Sequence, residues 1–444
     1  MVFEYYFFDI EGDETMAAPF HRVKIAEGVS FTAVQDSKFK HNRLSVSMIL
    51  PLEEGKLAER AIVPYILRQG TRKYPDVTKI NERLSDLYGA SLEASVEKFG
   101  AYQLLNIGMV GIDSRFAFEG EDMVRELASQ LADILLDPYL ENGAFSVKET
   151  ELEKEYLKDT IEAEINDKRN YAIMRCKSAM CDGEKLALFK LGTIEEVEAI
   201  TPQSAYKAYQ ELLDTAQIEF ILCGSGDPET ACEEFRSRFS GVERHPVAVD
   251  LEICRKLPTV KEKDITETMA GVTQGKLVLA FRSETTDDPA EQAAARMAIV
   301  MLGGTGTSLL HVNVREKLSL CYYCRARMDS VTGIMLIDSG VEAENCDKTK
   351  AACLEQLQKL QSSDIEDKLL SETKLFMKTA FSATGDSLGA LETWYLTKIL
   401  CDSMETPMDT LAYCQAVTRE EVVAAAQKLK LDTVYRLIPE KEAE

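Results

Sequence analysis

No apolar run in the 444 residues approaches the roughly 18 that a membrane-spanning helix needs, so no membrane role is expected. Basic residues are scarce beside acids: 51 Lys and Arg stand against 75 Asp and Glu, a net charge of −24. That balance repels bare phosphate and argues against nucleic acid as a partner. Histidine is rarer still. The four are His21, His41, His245 and His311, and no two are close enough to form an H-E-x-x-H metal pair. The first 175 residues hold no cysteine, and the eleven that follow are odd in number and scattered. They do not read as the disulfide framework of a secreted domain, so a reducing, cytoplasmic setting is expected. The N-terminus reads as a poor secretory signal, because Tyr5, Tyr6, Phe7 and Phe8 lie among acids with no basic stretch before them. Regular patterning begins only near Arg22, shortly after a second methionine, Met16.

Other familiar chemistries are missing too. Gly303-Gly304-Thr305-Gly306-Thr307-Ser308 is rich in glycine but lacks the G-K-[ST] ending of a phosphate loop. Gly224-Ser225-Gly226 lacks the outer spacing of a nucleophile elbow. Cys321 and Cys324 form one C-x-x-C in a strand-like run, too few thiols for a four-ligand cage, and a structural role is expected. His311, near Ser308, reads as a helix-surface or interface histidine.

What is present is a duplication of long period. In the first copy, alternating apolar residues around Leu44 to Leu52 predict a strand, and 55–67 a helix that stops at Gln69-Gly70-Thr71. In the second, 277–281 predicts a strand and 289–302 a helix that stops at Gly303-Gly304-Thr305. Each stop leads to a short helix (80–87 or 308–316), a strand pair (91–108 or 320–341) and further helices. Met123, Leu127, Leu131 and Leu135 share one helical face, as do Leu157, Ile161 and Ile165, and as do Cys353, Leu357 and Leu360. Both copies close with a threonine placed as an N-cap, Thr201 or Thr418, then a helix and a strand. The expected fold is α+β, with two homologous lobes of mixed, largely antiparallel sheet covered by helices and arranged as a clamshell around a cavity. The expected division is an arm at 1–21, a first lobe at 22–240, a linker at 241–271 and a second lobe at 272–444. Smaller repeats are expected to split near Leu140 and Leu360.

Two segments carry a family resemblance that covers nearly all of the chain after Arg22. Gly55-Lys56-Leu57-Ala58-Glu59 through Gly70-Thr71-Arg72-Lys73-Tyr74-Pro75 resembles the helix of the pitrilysin/insulinase family, which runs into G-T. Gly303-Gly304 through Val314-Arg315-Glu316-Lys317-Leu318-Ser319-Leu320-Cys321-Tyr322 resembles that family's glycine-rich stretch followed by L-R-E-K-x-G-L-x-Y. Active members are inverzincins with H-x-x-E-H on the first helix. Counting back from Gly70-Thr71, those places are held here by Ala61, Pro64 and Tyr65. Alanine cannot ligate, proline cannot accept a proton, and a phenol is a poor zinc ligand at neutral pH. The third family ligand, a glutamate on a later helix, falls on Glu155 or Glu162, with the register favouring Glu162. No metal or other cofactor is expected.

The resemblance implies that Arg315 and Tyr322 match the family's substrate-holding arginine and tyrosine. In the second segment, Ser319 replaces the usual glycine and Leu309-Leu310-His311 replaces an R-L-F-type run. The leading expectation is a non-catalytic subunit that pairs with a zinc-bearing H-x-x-E-H homologue and helps it hold a peptide or unfolded polypeptide. The second is a structural or peptide-binding clamshell, like the family's respiratory-complex core subunits. A lone enzyme of other chemistry is the least supported.

Overall fold

The computed structural model describes residues 20–251, 260–284 and 286–440. Met16 and most of the expected arm lie outside them, and the first strand already begins at Phe20. The strands are β1 (Phe20–Ala26), β2 (Val29–Gln35), β3 (His41–Pro51), β4 (Ser91–Phe99), β5 (Tyr102–Ile112), β6 (Gln217–Gly224), β7 (Lys263–Met269), β8 (Gly275–Arg282), β9 (Cys321–Asp329), β10 (Ile334–Val341) and β11 (Lys430–Pro439). They form two sheets, ordered β1-β2-β6-β3-β5-β4 and β7-β11-β8-β10-β9. In each sheet one pair is parallel, β2 with β6 and β7 with β11, and the other neighbours are antiparallel. Without β1, the first sheet has the order of the second. The duplicated pattern is therefore a duplicated topology, and the α+β expectation of two alike lobes of helix-covered mixed sheet describes the chain.

Helices of the first half are α1 (Leu57–Ala61), α2 (Val63–Leu67), α3 (Val77–Asp86), α4 (Met123–Leu136), α5 (Val147–Asn166), α6 (Lys168–Met180), α7 (Ile194–Glu198), α8 (Pro202–Thr215) and α9 (Pro228–Phe239). Those of the second are α10 (Pro289–Gly303), α11 (Leu310–Lys317), α12 (Cys346–Gln361), α13 (Asp367–Thr384), α14 (Leu388–Leu400), α15 (Pro407–Ala416) and α16 (Arg419–Gln427). Thr201 and Thr418 each accept from the third backbone N–H of their helix, and Ser204 or Glu421 returns a bond to the threonine's own N–H. These are capping boxes, as the sequence led us to expect. The helix-stopping glycines are required by close approach. A Cβ at Gly70 would sit 2.8 Å from the Pro75 carbonyl oxygen, and one at Gly303 would sit 2.4 Å from the Ala326 nitrogen.

Two features differ from the sequence expectation. Part of the 241–271 range is β7, an edge strand whose parallel ladder runs from Thr433↔Lys263 to Pro439↔Met269. No smaller repeat ends at Leu140 or Leu360. The first sheet takes strands from both sides of Leu140, and β11 joins the second sheet from beyond Leu360.

The two halves meet by exchanging helices. α6, from the first half, lies on β8 and β11 of the second sheet, and α14, from the second half, lies on β6 and β3 of the first. Ala172, Ile173, Cys176 and Met180 from α6 share one buried cluster with Leu391, Tyr395 and Leu400 from α14. Polar contacts lock the exchange. Arg169 Nε donates to Asp338 at 2.6 Å, and buried Arg282 donates to Glu184 at 2.6 Å and to the Met180 carbonyl at 3.0 Å. That last bond satisfies an orphan acceptor at the end of α6. No helix among the described residues is long and apolar enough to cross a membrane.

Candidate functional site

In the first half, the stretch that matches the zinc motif is a broken helix. Pro64 has no N–H to offer the Arg60 carbonyl, and its ring crowds the preceding turn, so the helix expected over 55–67 divides at Ile62 into α1 and α2. Ala61 is fully buried, and Pro64 and Tyr65 are buried beside it. The Tyr65 ring meets the Tyr156 ring of α5 edge-on at 5.1 Å, and the Arg68 guanidinium lies 5.3 Å from each ring. Burial pushes the Tyr65 phenol up to about 12, so it stays protonated and is no metal ligand at neutral pH.

Glu153, 2% exposed, completes this cluster by accepting from Gln69 and pairing with Arg68 at 3.6 Å. Burial raises its carboxyl pKa against the opposing pull of Arg68. Glu162 is not brought here. It is exposed, and it stands six residues beyond Tyr156, about 240° round the helix from the face that meets Tyr65. The buried side of α5 carries Thr150, Glu153, Lys154, Leu157 and Ile161, whereas Glu162 points to water. Glu155 is also exposed. Among the described residues no group of three or more His, Cys, Asp or Glu could hold a metal ion. The donor set at the motif positions does not fit zinc.

The second half presents Arg315 and Tyr322 on one connection. α11 is wound as a π-helix, with the Leu318 N–H reaching the Asn313 carbonyl five residues back, and Arg315 projects from it 41% exposed. Its guanidinium contacts Glu316 at 3.2 Å and His311 Nε2 at 3.2 Å. Ser319 follows with φ +50°, the left-handed conformation for which glycine is suited, so the turn survives the loss of glycine at a cost of about 1 kcal/mol. Tyr322 lies on edge strand β9, 59% exposed, and its hydroxyl donates to Glu342 at 2.7 Å. That bond raises the phenol pKa and keeps its proton in place. No direct contact joins Arg315 to Tyr322.

The remaining motifs are structural. The Gly340/Val341 register shift passes over Tyr322, so Cys321 turns toward Cys324 rather than alternating with it as a regular strand would require. Cys324 lies 3.5 Å from Cys353, sulfur to sulfur. The bond to Cys324 and burial push the Cys321 thiol up, away from a reactive thiolate. Ser225 donates to Asp113 at 2.7 Å. Burial of Asp113 opposes ionisation, but bonds from Arg115, Ser225 and Asn42 outweigh it and hold the carboxyl at about 2.

Residues 199–376 match the family model described as Peptidase M16 inactive domain. The probable inactive metalloprotease YmfF of Bacillus subtilis (strain 168) is 28% identical over 411 residues, covering 92% of this chain and 96% of that protein. The crystal structure of a conserved protein from Enterococcus faecalis V583 has a TM-score of 0.85 at 26% identity, over 96% of this chain and 100% of that one. A Helicobacter pylori protease structure shares the fold with a TM-score of 0.77 at 12% identity, over 96% of this chain and 100% of that one.

Proposed function

We propose that this chain, which resembles the pitrilysin/insulinase type over the match at residues 199–376 and in its likeness to YmfF but lacks the H-x-x-E-H motif, is the non-catalytic subunit of a two-chain peptidase. In this reading a homologous partner supplies the zinc and this chain supplies Arg315 and Tyr322 to hold the peptide. The reading is carried by the contrast between the halves. The motif helix is broken by Pro64 and packed shut by Tyr65 and Tyr156, whereas Arg315 and Tyr322 remain solvent-facing donors. An arginine fork and a protonated phenol both donate to a peptide carbonyl oxygen, and more strongly as negative charge builds on it. Glu316 and Glu342 hold those donors until substrate takes their place. The partner, the peptide, the end of the first lobe at 240 and the cytoplasmic setting belong to this proposal.

Mixing the chain with an H-x-x-E-H homologue from the same organism tests it. The mixture should cleave peptides faster than the homologue alone. Arg315→Ala should lower turnover of the mixture about 10²- to 10³-fold with assembly intact, the usual loss of one oxyanion donor. Glu162→Gln should leave it nearly unchanged. If the homologue alone matches the mixture, or Arg315→Ala has no effect, the chain is a structural or peptide-binding clamshell with no proteolytic role.

A further inference from the structure

Beside the outer end of β9, between α10 and α16, lies a cavity of about 390 Å³ whose walls include Ala290, Ala294, Ala295, Ala425, Ile299 and Met328. A second cavity of about 900 Å³ adjoins it, bounded in part by α14. One side chain, Arg296, borders both. Its Nε is shut from solvent and has no hydrogen-bond partner. Among the described residues no carboxylate forms an ion pair with it, and the Phe381 ring lies 5.8 Å from its guanidinium carbon. Of the glutamates lining the two cavities, Glu291 is engaged by Lys428 at 2.8 Å, Glu405 by Lys398 and Glu421 by Thr418, and Glu284 lines the smaller cavity without an ion pair to Arg296. Burial lowers the Arg296 pKa, with Cys414 and Glu405 opposing only in part. A guanidinium in this position bears a desolvation cost that Phe381, Cys414 and Glu405 offset only in part.

We propose that Arg296 receives a carboxylate borne on a small apolar body, with the guanidinium binding the oxygens and the alanine-lined cavity taking the body. The planar fork suits a carboxylate, and the volume suits one large side chain or a short acyl chain. The ligand chemistry has two natural sources, the C-terminal residue of a peptide or a free fatty acid. The site lies outside the Arg315–Tyr322 connection and needs no partner subunit, so it stands or falls separately from the pairing proposed above.

The full-length chain carries its own probe, because its single tryptophan, Trp394, lines the larger cavity and meets Phe381 edge-on at 5.5 Å. Calorimetric titration, followed in parallel by Trp394 emission, would use N-acetyl-phenylalanine and octanoate beside their uncharged amides. At least one acid should bind saturably and about tenfold or more tightly than its amide, as a charge-assisted hydrogen bond provides. Binding of N-acetyl-phenylalanine alone assigns a peptide C-terminus, and binding of octanoate alone a free acyl acid. Arg296→Leu should bring acid and amide within about twofold, and should raise the melting temperature of the ligand-free chain by removing a charge whose desolvation is offset only in part. An arginine that only supports the fold would lower it. Ala425→Leu should weaken acid and amide alike by narrowing the cavity, and it provides the test if Arg296→Leu does not fold. Equal affinity of acid and amide, no saturable binding, or discrimination that persists in Arg296→Leu would overturn the proposal.

Discussion

The same place in the two halves has opposite character. In the first half, the groove between α1/α2 and α8 is filled by charge: Arg60, 3% exposed, donates to Glu53 at 3.1 Å and Glu211 at 2.9 Å, and Lys56 reaches Glu211 at 3.0 Å. Counting back from the matched glycines Gly70 and Gly304, the second half places Ala290 and Ala294 where Lys56 and Arg60 stand. Counting forward from the matched caps, Lys428 stands where Glu211 does. Alanines cannot fill the space, and a cavity remains. Tyr65 likewise corresponds to Ile299, a residue closed in by aromatic rings in one half and bordering open space in the other. Duplication has kept the backbone frame while side-chain volume alone decides whether the frame holds a packed wall or a pocket.

The largest test of that contrast is Tyr65→Ala, which should destabilise the chain by about 3–5 kcal/mol, the usual cost of deleting a fully packed aromatic. Ile299→Ala should cost near the low end of roughly 2–5 kcal/mol, because one side of Ile299 already faces a cavity. Urea unfolding of both variants measures the difference, and equal losses would break the comparison. Next, Arg60→Ala copies the second half's residue into the first. It should cost about 2–3 kcal/mol, less than the loss of a fully buried pair, because Glu53 and Glu211 keep access to water. A loss below about 0.5 kcal/mol would mean that the charged wall adds nothing to packing. The smallest effect should come from Thr201→Ala and Thr418→Ala. Each removes one capping box and should lower stability by about 1 kcal/mol, nearly equally, if the halves differ in filling and not in frame.

Local chemistry was readable in the sequence wherever it repeats. Gly70-Thr71 and Gly303-Gly304 announce close backbone approaches, and Thr201 and Thr418 announce helix starts, since each depends on residues only a few places away. The identities of Ala61, Pro64 and Tyr65 already excluded zinc, but the ring of Tyr156 that closes on Tyr65 comes from a helix about ninety residues later. Glu155 and Glu162 were the acids weighed, and Glu153 was passed over although it stands four residues before Leu157 on the face that Leu157 and Ile161 mark. Arg296 passed unnoticed because an arginine among alanines looks like a surface helix residue until the opposite wall is known. β7 had a visible signal, the alternation of Ile265 with Thr266 and Thr268 in a half-exposed strand, hidden by the prolines and lysines before it.

The exchange of α6 and α14 has a consequence for how this chain is held together and how it arose. Cutting the chain between α9 and β7 would leave two fragments, each still clasping a helix that belongs on the other's sheet. Neither fragment could bury its sheet alone, so they would part only on unfolding. The same geometry is what two copies of a single ancestral unit make when they dimerise by trading a helix. In a single chain the same exchange is covalent and needs no assembly equilibrium, so a sealed interior in one half and an open one in the other can coexist on one frame.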